Sequence, residues 1–404
     1  MPYDVLILGA GVAGLTAAAR LAARSFKVLV VDRDFFPGGL AARLACKAVA
    51  ACARCNACLL EETLADLPGS DLALEFQTRV VNSRAEDRGF RIELLGEPMY
   101  LDPERCVDCD ACYAACPARD RAIRRAPAPQ LAPRYALDPA ACRHFQGREC
   151  DACVLECPAG AIDLAAPPRR REVHTRAVIV ASGATVFDAR LKSRYGYGRL
   201  ADVITGRDLE AMLRETGRVL RPSDGRPPDR VAFIQCVGSR DKSIGRDYCS
   251  RICCGYALRL ANRLQYRWPE TRISFFHMDI QTFGRNFTGL MAETAERVEL
   301  IHGVPGEITA GEAGALKIPY LNEATGKVES RDFDLAVLSV GLGPPDDGLD
   351  QIFQLARDED GFYLARPEEG LFVAGCAGGP LDVAESRTRA EGAAVEAAAF
   401  LTGP

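Results

Sequence analysis

The stretch Tyr3-Asp4-Val5-Leu6-Ile7-Leu8-Gly9-Ala10-Gly11-Val12-Ala13-Gly14 decides the fold. Its apolar run predicts a buried strand, and the alanine- and leucine-rich segment that follows predicts a helix over 15–23. A second predicted strand, 27–31, ends at Asp32. The glycines permit a tight turn and close approach of a pyrophosphate to a helix N-terminus, and an acid about 20 residues on can bond a ribose hydroxyl. We therefore predict an α/β nucleotide-binding unit whose contacts are Gly9, Gly11, Val12, Ala13, Gly14, Asp32 and Arg33.

Two cysteine runs form a paired ferredoxin signature, CVDCDACYAACP (106–117) and CRHFQGRECDACVLECP (142–158). Cysteines separated by two residues, with a last one before proline, are typical of bacterial 4Fe-4S ferredoxins, in which each run's fourth cysteine binds the other cluster. A structural zinc site is the alternative, but zinc sites use two well-separated pairs. We expect the ligands of cluster one to be Cys106, Cys109, Cys112 and Cys157. We expect those of cluster two to be Cys142, Cys150, Cys153 and Cys116.

Composition excludes several classes of function. A chain of 404 residues can form two or three domains, and a net charge of −5 gives no support for nucleic-acid binding. No run approaches the roughly 18 apolar residues of a membrane-spanning helix, and the N-terminus has no secretory pattern. Seventeen cysteines in such a chain indicate metal ligands in a reducing compartment rather than disulfides. We expect a cytoplasmic protein that binds no nucleic acid and reaches a membrane only through partners.

Two later segments resemble those that close the FAD domain of flavoproteins with two dinucleotide domains, the family typified by thioredoxin reductase. They are AVIVASG (177–183) and GLFVAGC (370–376), the latter followed by Asp382 and an alanine-rich helix to about Leu401. The resemblance implies FAD rather than NAD, an acid at the ribityl–phosphate region, and a helix N-terminus facing the flavin. Further contacts are then expected from Gly38, Gly39, Leu40, Val80, Val81, Ala181, Ser182, Gly183, Gly375, Cys376 and Asp382.

In that family a middle domain binds NADPH through a second glycine-rich turn. Here the strand predicted at 230–235 leads into Cys236 with no G-x-G-x-x-G, and YCSRICC follows. Adjacent cysteines are poor candidates for a mutual disulfide. We expect a third cubane cluster where the nicotinamide cofactor would bind; buried structural thiols are the alternative. Its predicted ligands are Cys236, Cys249, Cys253 and Cys254.

A fourth group is formed by Cys46, Cys52, Cys55 and Cys58. We predict a fourth 4Fe-4S cluster there. A zinc site and a C-x-x-C redox pair (Cys55 and Cys58) stay open as alternatives.

The stretches QCVGSRD, YCSRICC, RPSDG, SVGLGP and FVAGCAGGP together resemble the HdrA family, the flavin-carrying component of heterodisulfide reductase, over nearly the whole chain. Relatives of that family include subunits of the quinone-interacting oxidoreductase and of the class II benzoyl-CoA reductase complex. In the fourth group the family motif matches only Cys55 and Cys58, so Cys46 and Cys52 look like additions. The resemblance implies an electron-transfer subunit with FAD and three or four 4Fe-4S clusters, which can also bifurcate electrons. No residue is predicted to be catalytic.

The expected partners are other redox subunits of a hetero-oligomer, because family members can carry iron–sulfur regions at both ends that this sequence does not show. They are HdrB/C-like, MvhD-like or quinone-linked subunits or a benzoyl-CoA reductase assembly, with ferredoxin as a further partner. Two rival functions are a stand-alone NAD(P)H-dependent flavoprotein like the glutamate synthase small subunit, and a structural scaffold. The missing second glycine motif argues against the first rival.

The fold class that follows is a thioredoxin-reductase-like two-domain flavoprotein with an inserted α+β two-cluster ferredoxin domain. Pro167-Pro168 and Arg169-Arg170-Arg171 are expected to form the solvated linker returning from the insertion. The predicted domains are 1–98 (FAD-binding, first part), 99–166 (ferredoxin), 167–228 (FAD-binding, second part, and crossover), 229–345 (cluster-bearing second dinucleotide-type region) and 346–404 (FAD-binding, C-terminal part).

Overall fold

The quoted N-terminal stretch forms the predicted strand, turn and helix. The computed structural model describes residues 3–50, 52, 55–67, 71–118, 122–126, 134–281, 287–323 and 325–403. Strand β1 (Tyr3–Leu8) is buried from Val5 onward, because every side chain in that run is apolar. Helix α1 (Val12–Ala22) begins directly after Gly11, and β2 (Val28–Val31) lies parallel to β1. The β1–α1–β2 unit is therefore of the dinucleotide-binding type.

The first sheet gathers strands from three separate parts of the chain. Its other strands are β3 (Leu72–Glu75), β4 (Thr78–Glu86), β5 (Gly89–Gly96), β8 (Arg169–Val180) and β19 (Leu371–Val373). The order is β3-β2-β1-β8-β5-β4, with β19 also pairing with β8. β8 runs parallel to β1 and β19 but antiparallel to β5. This strand therefore joins the parallel part of the sheet to a β-meander.

Helices cover the first sheet through closely packed small side chains. The helices of this unit are α1, α2 (Leu59–Ala65), α8 (Leu349–Phe353) and α9 (Val383–Thr402). α1 packs against α9, and Ala17, Ala18, Ala390 and Ala397 are fully buried in the same core cluster. Alanine at these positions lets the two backbones approach closely. The close packing of α1 against α9 thus explains why both helices are rich in alanine.

The cysteine-rich module is inserted between two neighbouring strands. Gly96, the last residue of β5, pairs with Arg169, the first residue of β8, so the chain leaves and returns at adjacent points. The module contains α3 (Ala111–Ala115), β6 (Ile123–Arg125), β7 (Tyr135–Leu137) and α4 (Ala152–Leu155). A bridge between Leu101 and Ile162 closes it. Its small core includes four buried cysteines: Cys112, Cys116, Cys142 and Cys153.

The basic run after the module differs from the expected linker. Arg169, Arg170 and Arg171 are the first residues of β8, not a free segment. Arg170 donates a hydrogen bond to Glu93 at 2.7 Å, and Arg171 pairs with Glu75. Carboxylates on β5 and β3 thus hold Arg170 and Arg171 against the sheet, although Arg169 and Arg170 stay exposed as expected.

The second unit is built on a parallel sheet of order β10-β17-β11-β12-β13. Its strands and helices are β10 (Val203–Thr205), α5 (Gly206–Glu215), β11 (Arg230–Val237), α6 (Cys253–Arg267), β12 (Arg272–His277), α7 (Phe287–Ala295), β13 (Glu299–His302) and β17 (Leu335–Val340). A meander precedes β17: β14 (Thr309–Ala310), β15 (Leu316–Asn322) and β16 (Lys327–Phe333). β10 and α5 belong to this unit although they lie within 167–228.

Two short strands mark where the chain crosses between the units. β9 (Thr185–Val186) pairs antiparallel with β18 (Leu342–Gly343). Short 3-10 helices lie at Ala41–Arg43, Ala189–Leu191, Ser193–Tyr195, Lys242–Ile244, Glu312–Gly314, Pro367–Glu369 and Gly375–Gly378. Among the described residues, no helix combines the length and apolar content needed to cross a membrane.

Candidate functional site

One large cavity lies between the two units. Its volume is about 1690 Å³, above the roughly 300–1,000 Å³ of ordinary ligand pockets. Most of the predicted cofactor contacts line it: Gly9, Gly11, Val12, Ala13, Asp32, Arg33, Gly38, Gly39, Leu40, Val80, Val81, Ala181, Ser182, Gly183, Cys376 and Asp382. The sequence-predicted contacts thus converge on a single cavity.

Two predicted contacts do not line the cavity, Gly14 and Gly375. A Cβ built on Gly14 would lie 1.8 Å from the carbonyl oxygen of Gly9. Gly375 has φ +62°, and a Cβ there would lie 2.6 Å from Cβ of Ala13. Gly14 is therefore required by its closeness to the Gly9 backbone, and Gly375 by its positive φ and its closeness to the Ala13 side chain.

The turn between β1 and α1 has the shape of a phosphate cradle. Gly11 precedes the first turn of α1, and a Cβ built on it would meet no atom within 4 Å, so its Cα faces open space in the cavity wall. The carboxylate of Asp32 accepts hydrogen bonds from the backbone N–H groups of Ala10 (2.6 Å) and Asp34 (2.8 Å). Burial raises the pKa of Asp32, opposed by these two hydrogen bonds. Ser182 Oγ is buried in the wall with no hydrogen-bond partner among the described residues. These features fit a polar nucleotide.

The N-terminal turn of α9 forms another wall of the cavity. Asp382 caps this helix by accepting a hydrogen bond from Glu385 N at 2.8 Å, and Glu385 Oε2 accepts one from Asp382 N at 3.1 Å. The positive end of the helix dipole therefore points toward the cavity, where it stabilises negative charge. The nearby Cys376 thiol donates to the carbonyl of Leu381 at 3.3 Å, and burial raises its pKa. The Cys376 thiol is thus already engaged by hydrogen bonds within the protein.

The structure brings together the thiols predicted for cluster one across the two ferredoxin runs. The pKa of Cys112 is raised to about 11, mainly by burial and also by the neighbouring thiols of Cys106, Cys157 and Cys109, against the effect of a backbone hydrogen bond. Cys157 comes from the second run, so thiols of both runs lie beside Cys112, as the predicted crossed arrangement requires. Asp108 and Asp110, on either side of Cys109, have positive φ values of 54° and 64°. These left-handed conformations let the loop turn tightly beside the thiols.

The cluster-two thiols surround a small cavity of their own. Cys116, Cys142, Cys150 and Cys153 all line it. Burial raises the pKa of Cys153 to about 11, and the thiols of Cys142 and Cys116 act in the same direction. Cys116 belongs to the first run, which again matches the crossed arrangement.

The third group lies at the connection from β11 to α6. Cys236 is near the end of β11 with φ +57°, and Cys253 and Cys254 are the first two residues of α6. Burial raises the pKa of Cys236 to about 12, and the thiols of Cys254 and Cys249 act in the same direction. The backbone N–H of Arg251 donates to Cys249 Sγ at 3.3 Å. Cysteines therefore occupy the strand-to-helix connection that carries the glycine-rich turn in a nucleotide-binding unit.

The fourth group is brought together in part. Burial raises the pKa of Cys58, which precedes α2, and the thiols of Cys55 and Cys52 raise it too. Cys55 also lines the large cavity. The carbonyl of Cys46 accepts a hydrogen bond from Arg263 on α6. Residues 51, 53 and 54 of this loop lie outside the described part of the chain.

Within the described residues, no three His, Cys, Asp or Glu side chains meet as ligands of one metal ion. The thiolates of a cubane cluster bind different irons, so they surround a volume rather than meet at a point. The first two groups fit that description, since thiols from both runs surround Cys112 in the first group and line a small cavity in the second.

Two charged contacts at the cavity were not apparent from the sequence. The Arg251 guanidinium pairs with Glu385, which links the third cysteine group to the first turn of α9. Lys47 Nζ lies 2.5 Å from Glu210 Oε1, and both side chains are buried. Both pairs join residues more than 100 positions apart in the sequence, so the local spacing of residues gives no signal for them.

Family models match two regions of the chain. Residues 7–47 match the NAD(P)-binding Rossmann-like domain, and residues 99–119 match the 4Fe-4S binding domain. The first match begins at the end of β1 and covers α1 and β2, and the second covers the first ferredoxin run.

Curated relatives match nearly all of the chain, and each is the A component of a heterodisulfide reductase. The chain is 35% identical to that component of the ferredoxin:CoB-CoM heterodisulfide reductase of Methanosarcina mazei, over 94% of this chain and 51% of the relative. It is 34% identical to that component of the H(2):CoB-CoM heterodisulfide,ferredoxin reductase of Methanothermobacter marburgensis, over 97% of this chain and 63% of the relative. The chain thus spans one half to two thirds of the length of these relatives.

Solved structures confirm the predicted fold class. The thioredoxin reductase of T. acidophilum is 14% identical with a TM-score of 0.52, covering 99% of this chain and 97% of the other. That of Lactococcus lactis in its FR conformation is 16% identical with a TM-score of 0.52, covering 99% of both chains. At these identities the likeness concerns the fold alone.

Proposed function

Since this chain is a homologue of the HdrA component of heterodisulfide reductases, we propose that it is an electron-transfer subunit of a larger oxidoreductase complex, with FAD and 4Fe-4S clusters as its redox groups. One observation carries the proposal. The large cavity between the units meets cysteine groups on two sides, at Cys55 and at the Arg251 loop between Cys249 and Cys253. A dinucleotide in this cavity would therefore lie beside thiolate-bound redox centres.

The residues that would hold FAD are those of the cavity wall. The Gly11 turn and the N-terminus of α1 would bind its pyrophosphate, the Asp32 carboxylate would bind a ribose hydroxyl, and α9 would stabilise negative charge on the ring. When bound, FAD supplies two-electron chemistry that can also proceed in single-electron steps. The protein would position the cofactor through these contacts.

The cysteine groups would supply three clusters, with a fourth at Cys46, Cys52, Cys55 and Cys58. In the crossed ferredoxin arrangement each run contributes its last cysteine to the other cluster, which keeps the two clusters close together. Burial and hydrogen bonds to sulfur set cluster potentials. The N–H of Arg251 toward Cys249 Sγ is such a bond.

Converting electron pairs to single electrons is the activity that this arrangement supports. Electron bifurcation is a special case of this conversion, in which the two electrons of a pair go to acceptors of different reduction potential. We further infer partners that carry redox centres of their own: HdrB/C-like, MvhD-like or quinone-linked subunits, a benzoyl-CoA reductase assembly, or ferredoxin. A cytoplasmic location is part of the same proposal.

The test is anaerobic reduction without partners. The connection from β11 to α6 carries cysteines in place of a glycine turn, so NADH or NADPH should reduce the purified protein at a negligible rate, while dithionite should bleach flavin and clusters together. Rapid stoichiometric reduction by NADPH alone would favour the stand-alone flavoenzyme. Clusters that stay redox-silent under dithionite would favour a scaffold.

A further inference from the structure

The connection from β11 to α6 folds back on itself around Cys249. One residue before Cys249, the carbonyl of Tyr248 accepts a hydrogen bond from the N–H of Arg240 at 2.9 Å. One residue after it, the N–H of Ser250 donates to Ser239 Oγ at 3.2 Å, and the two serine hydroxyls lie 2.8 Å apart. Both serines are buried. These contacts place the loop that follows β11 directly beside Cys249.

Arg240 brings a positive charge to the third cysteine group. The pKa of Arg240 is raised mainly by its hydrogen bond to Asp279, against the effect of burial. The thiols of Cys236 and Cys249 act on this pKa in the same direction as Asp279. Burial and the thiol of Cys254 raise the pKa of Cys236, whereas the charge of Arg240 opposes that rise. The guanidinium therefore lies close to thiols on both sides of the connection.

A carboxylate balances this charge from the end of the neighbouring strand. The Arg240 guanidinium pairs with Asp279, two residues after the end of β12, and the two side chains are only 29% and 46% exposed. Gln281 Nε2 donates to Asp279 Oδ2 at 3.0 Å. Burial raises the pKa of Cys254, and a hydrogen bond from the backbone of Gln281 opposes that rise. Arg240, Asp279 and Gln281 thus form one chain of contacts that ends at the Cys254 thiol.

Arg240 and Arg251 lie on different sides of the cysteine group. Arg251 lines the large cavity and pairs with Glu385, whereas Arg240 is not among the residues that line that cavity. We therefore expect the charge of Arg240 to act on a cluster at these cysteines and hardly on a flavin in the cavity.

We propose that Arg240, balanced by Asp279, sets the reduction potential of the third cluster. A cubane cluster gains one negative charge when it takes up an electron, so a nearby guanidinium stabilises the reduced form and a nearby carboxylate destabilises it. The guanidinium stays protonated, and no bond or proton is exchanged in this step. The inference rests on the proposed function, because it requires a cluster bound by Cys236, Cys249, Cys253 and Cys254.

The test is a redox titration of the anaerobic full-length protein, in which EPR follows the clusters and visible absorbance follows the flavin. The EPR signal that Cys236→Ser removes identifies the third cluster. Arg240→Gln should raise the ratio of oxidised to reduced third cluster about tenfold at a given potential, which lowers its midpoint by about 59 mV. Asp279→Asn should shift the midpoint in the opposite direction, and Arg240→Lys should keep most of the original value. The flavin midpoint should stay unchanged in all three variants.

Lys242→Gln is the matched control, because it removes the same charge from the same loop. Lys242 is 84% exposed and pairs with Asp247 at 3.4 Å, so solvent screens its charge. This variant should change the ratio of oxidised to reduced cluster less than about twofold.

Three results would overturn the proposal. They are a shift in Arg240→Gln no larger than in Lys242→Gln, an equal loss in Arg240→Lys and Arg240→Gln, and a lowered midpoint in Asp279→Asn. Structural damage alone would move the Arg240→Gln and Asp279→Asn midpoints in the same direction, whereas charge moves them in opposite directions. Failure of the proposed function would look different, because the unmodified protein would then show no EPR signal that depends on Cys236.

Discussion

At the scale of single residues, Arg251 connects two parts of the site. It lies between two predicted cluster ligands with φ +62°, a left-handed conformation that is uncommon outside glycine. Its N–H bonds Cys249 Sγ, and its guanidinium pairs with Glu385 in the capping box of α9. One residue thus connects the third cysteine group to the helix end that faces the cavity.

We expect this pair to fix the position of the second unit relative to α9. Arg251→Gln and Glu385→Gln should each lower the free energy of unfolding by about 1 kcal/mol, because both side chains are only partly exposed. Glutamine at 385 retains the capping box, so the loss reports the ion pair. Denaturant unfolding of the two variants and the double variant gives the coupling energy, expected at about 0.5–1 kcal/mol.

Glu391→Gln provides the control on the same helix. Glu391 pairs with Arg20 at 2.7 Å, but Arg20 is 58% exposed and the pair lies outside the cavity. This variant should change stability by less than about 0.5 kcal/mol. Strictly additive effects of the Arg251 and Glu385 substitutions would contradict the coupling.

The sequence predicts the cavity-lining glycines but not their separate roles. Gly11 faces open space, whereas Gly14 and Gly375 are needed for packing, and the motif alone cannot distinguish these uses. The buried Lys47–Glu210 pair was unpredictable, because its partners come from different units of the fold.

At the scale of elements, the insertion is explained by the strand pairing on either side of it. β5 and β8 are antiparallel neighbours, and their ends at Gly96 and Arg169 lie directly opposite each other. A module placed there needs no rearrangement of the sheet. The run of arginines was predicted as linker because charge runs are usually solvated; their pairing with Glu93 and Glu75 across the sheet is a tertiary effect.

We predict that residues 97–168 can be replaced by a two-residue Asn-Gly turn without loss of the flavin site. Such turns join antiparallel strands whose ends are adjacent. The shortened protein should keep its flavin absorbance and lose about eight irons per flavin, those of the two ferredoxin clusters. Visible spectroscopy and iron analysis measure both quantities.

The full-length Cys106→Ser/Cys142→Ser variant is the comparison, since it removes one predicted ligand of each cluster and keeps the module. If the shortened protein is insoluble or colourless while this variant retains flavin, the module is required for the fold of the first unit, and the prediction is wrong.

At the scale of the whole molecule, two dinucleotide-type units enclose one cavity, but only the first has a glycine turn. The second has the sheet and helix order of such a unit with cysteines at the decisive connection. The presence of cysteines at this connection could be predicted from the sequence, because the strand, the cysteines and the helix follow one another in the chain. The sequence could not predict that Arg251, Tyr256 and Arg259 would line the cavity, because their placement depends on how the units pack.

The metal and flavin content of anaerobically purified protein tests the central claim most directly. Three or four cubane clusters beside one FAD predict about 12 to 16 irons, with equal acid-labile sulfide, per flavin and no stoichiometric zinc. Protein that holds zinc at its cysteines, or that carries no flavin after purification, would contradict the account.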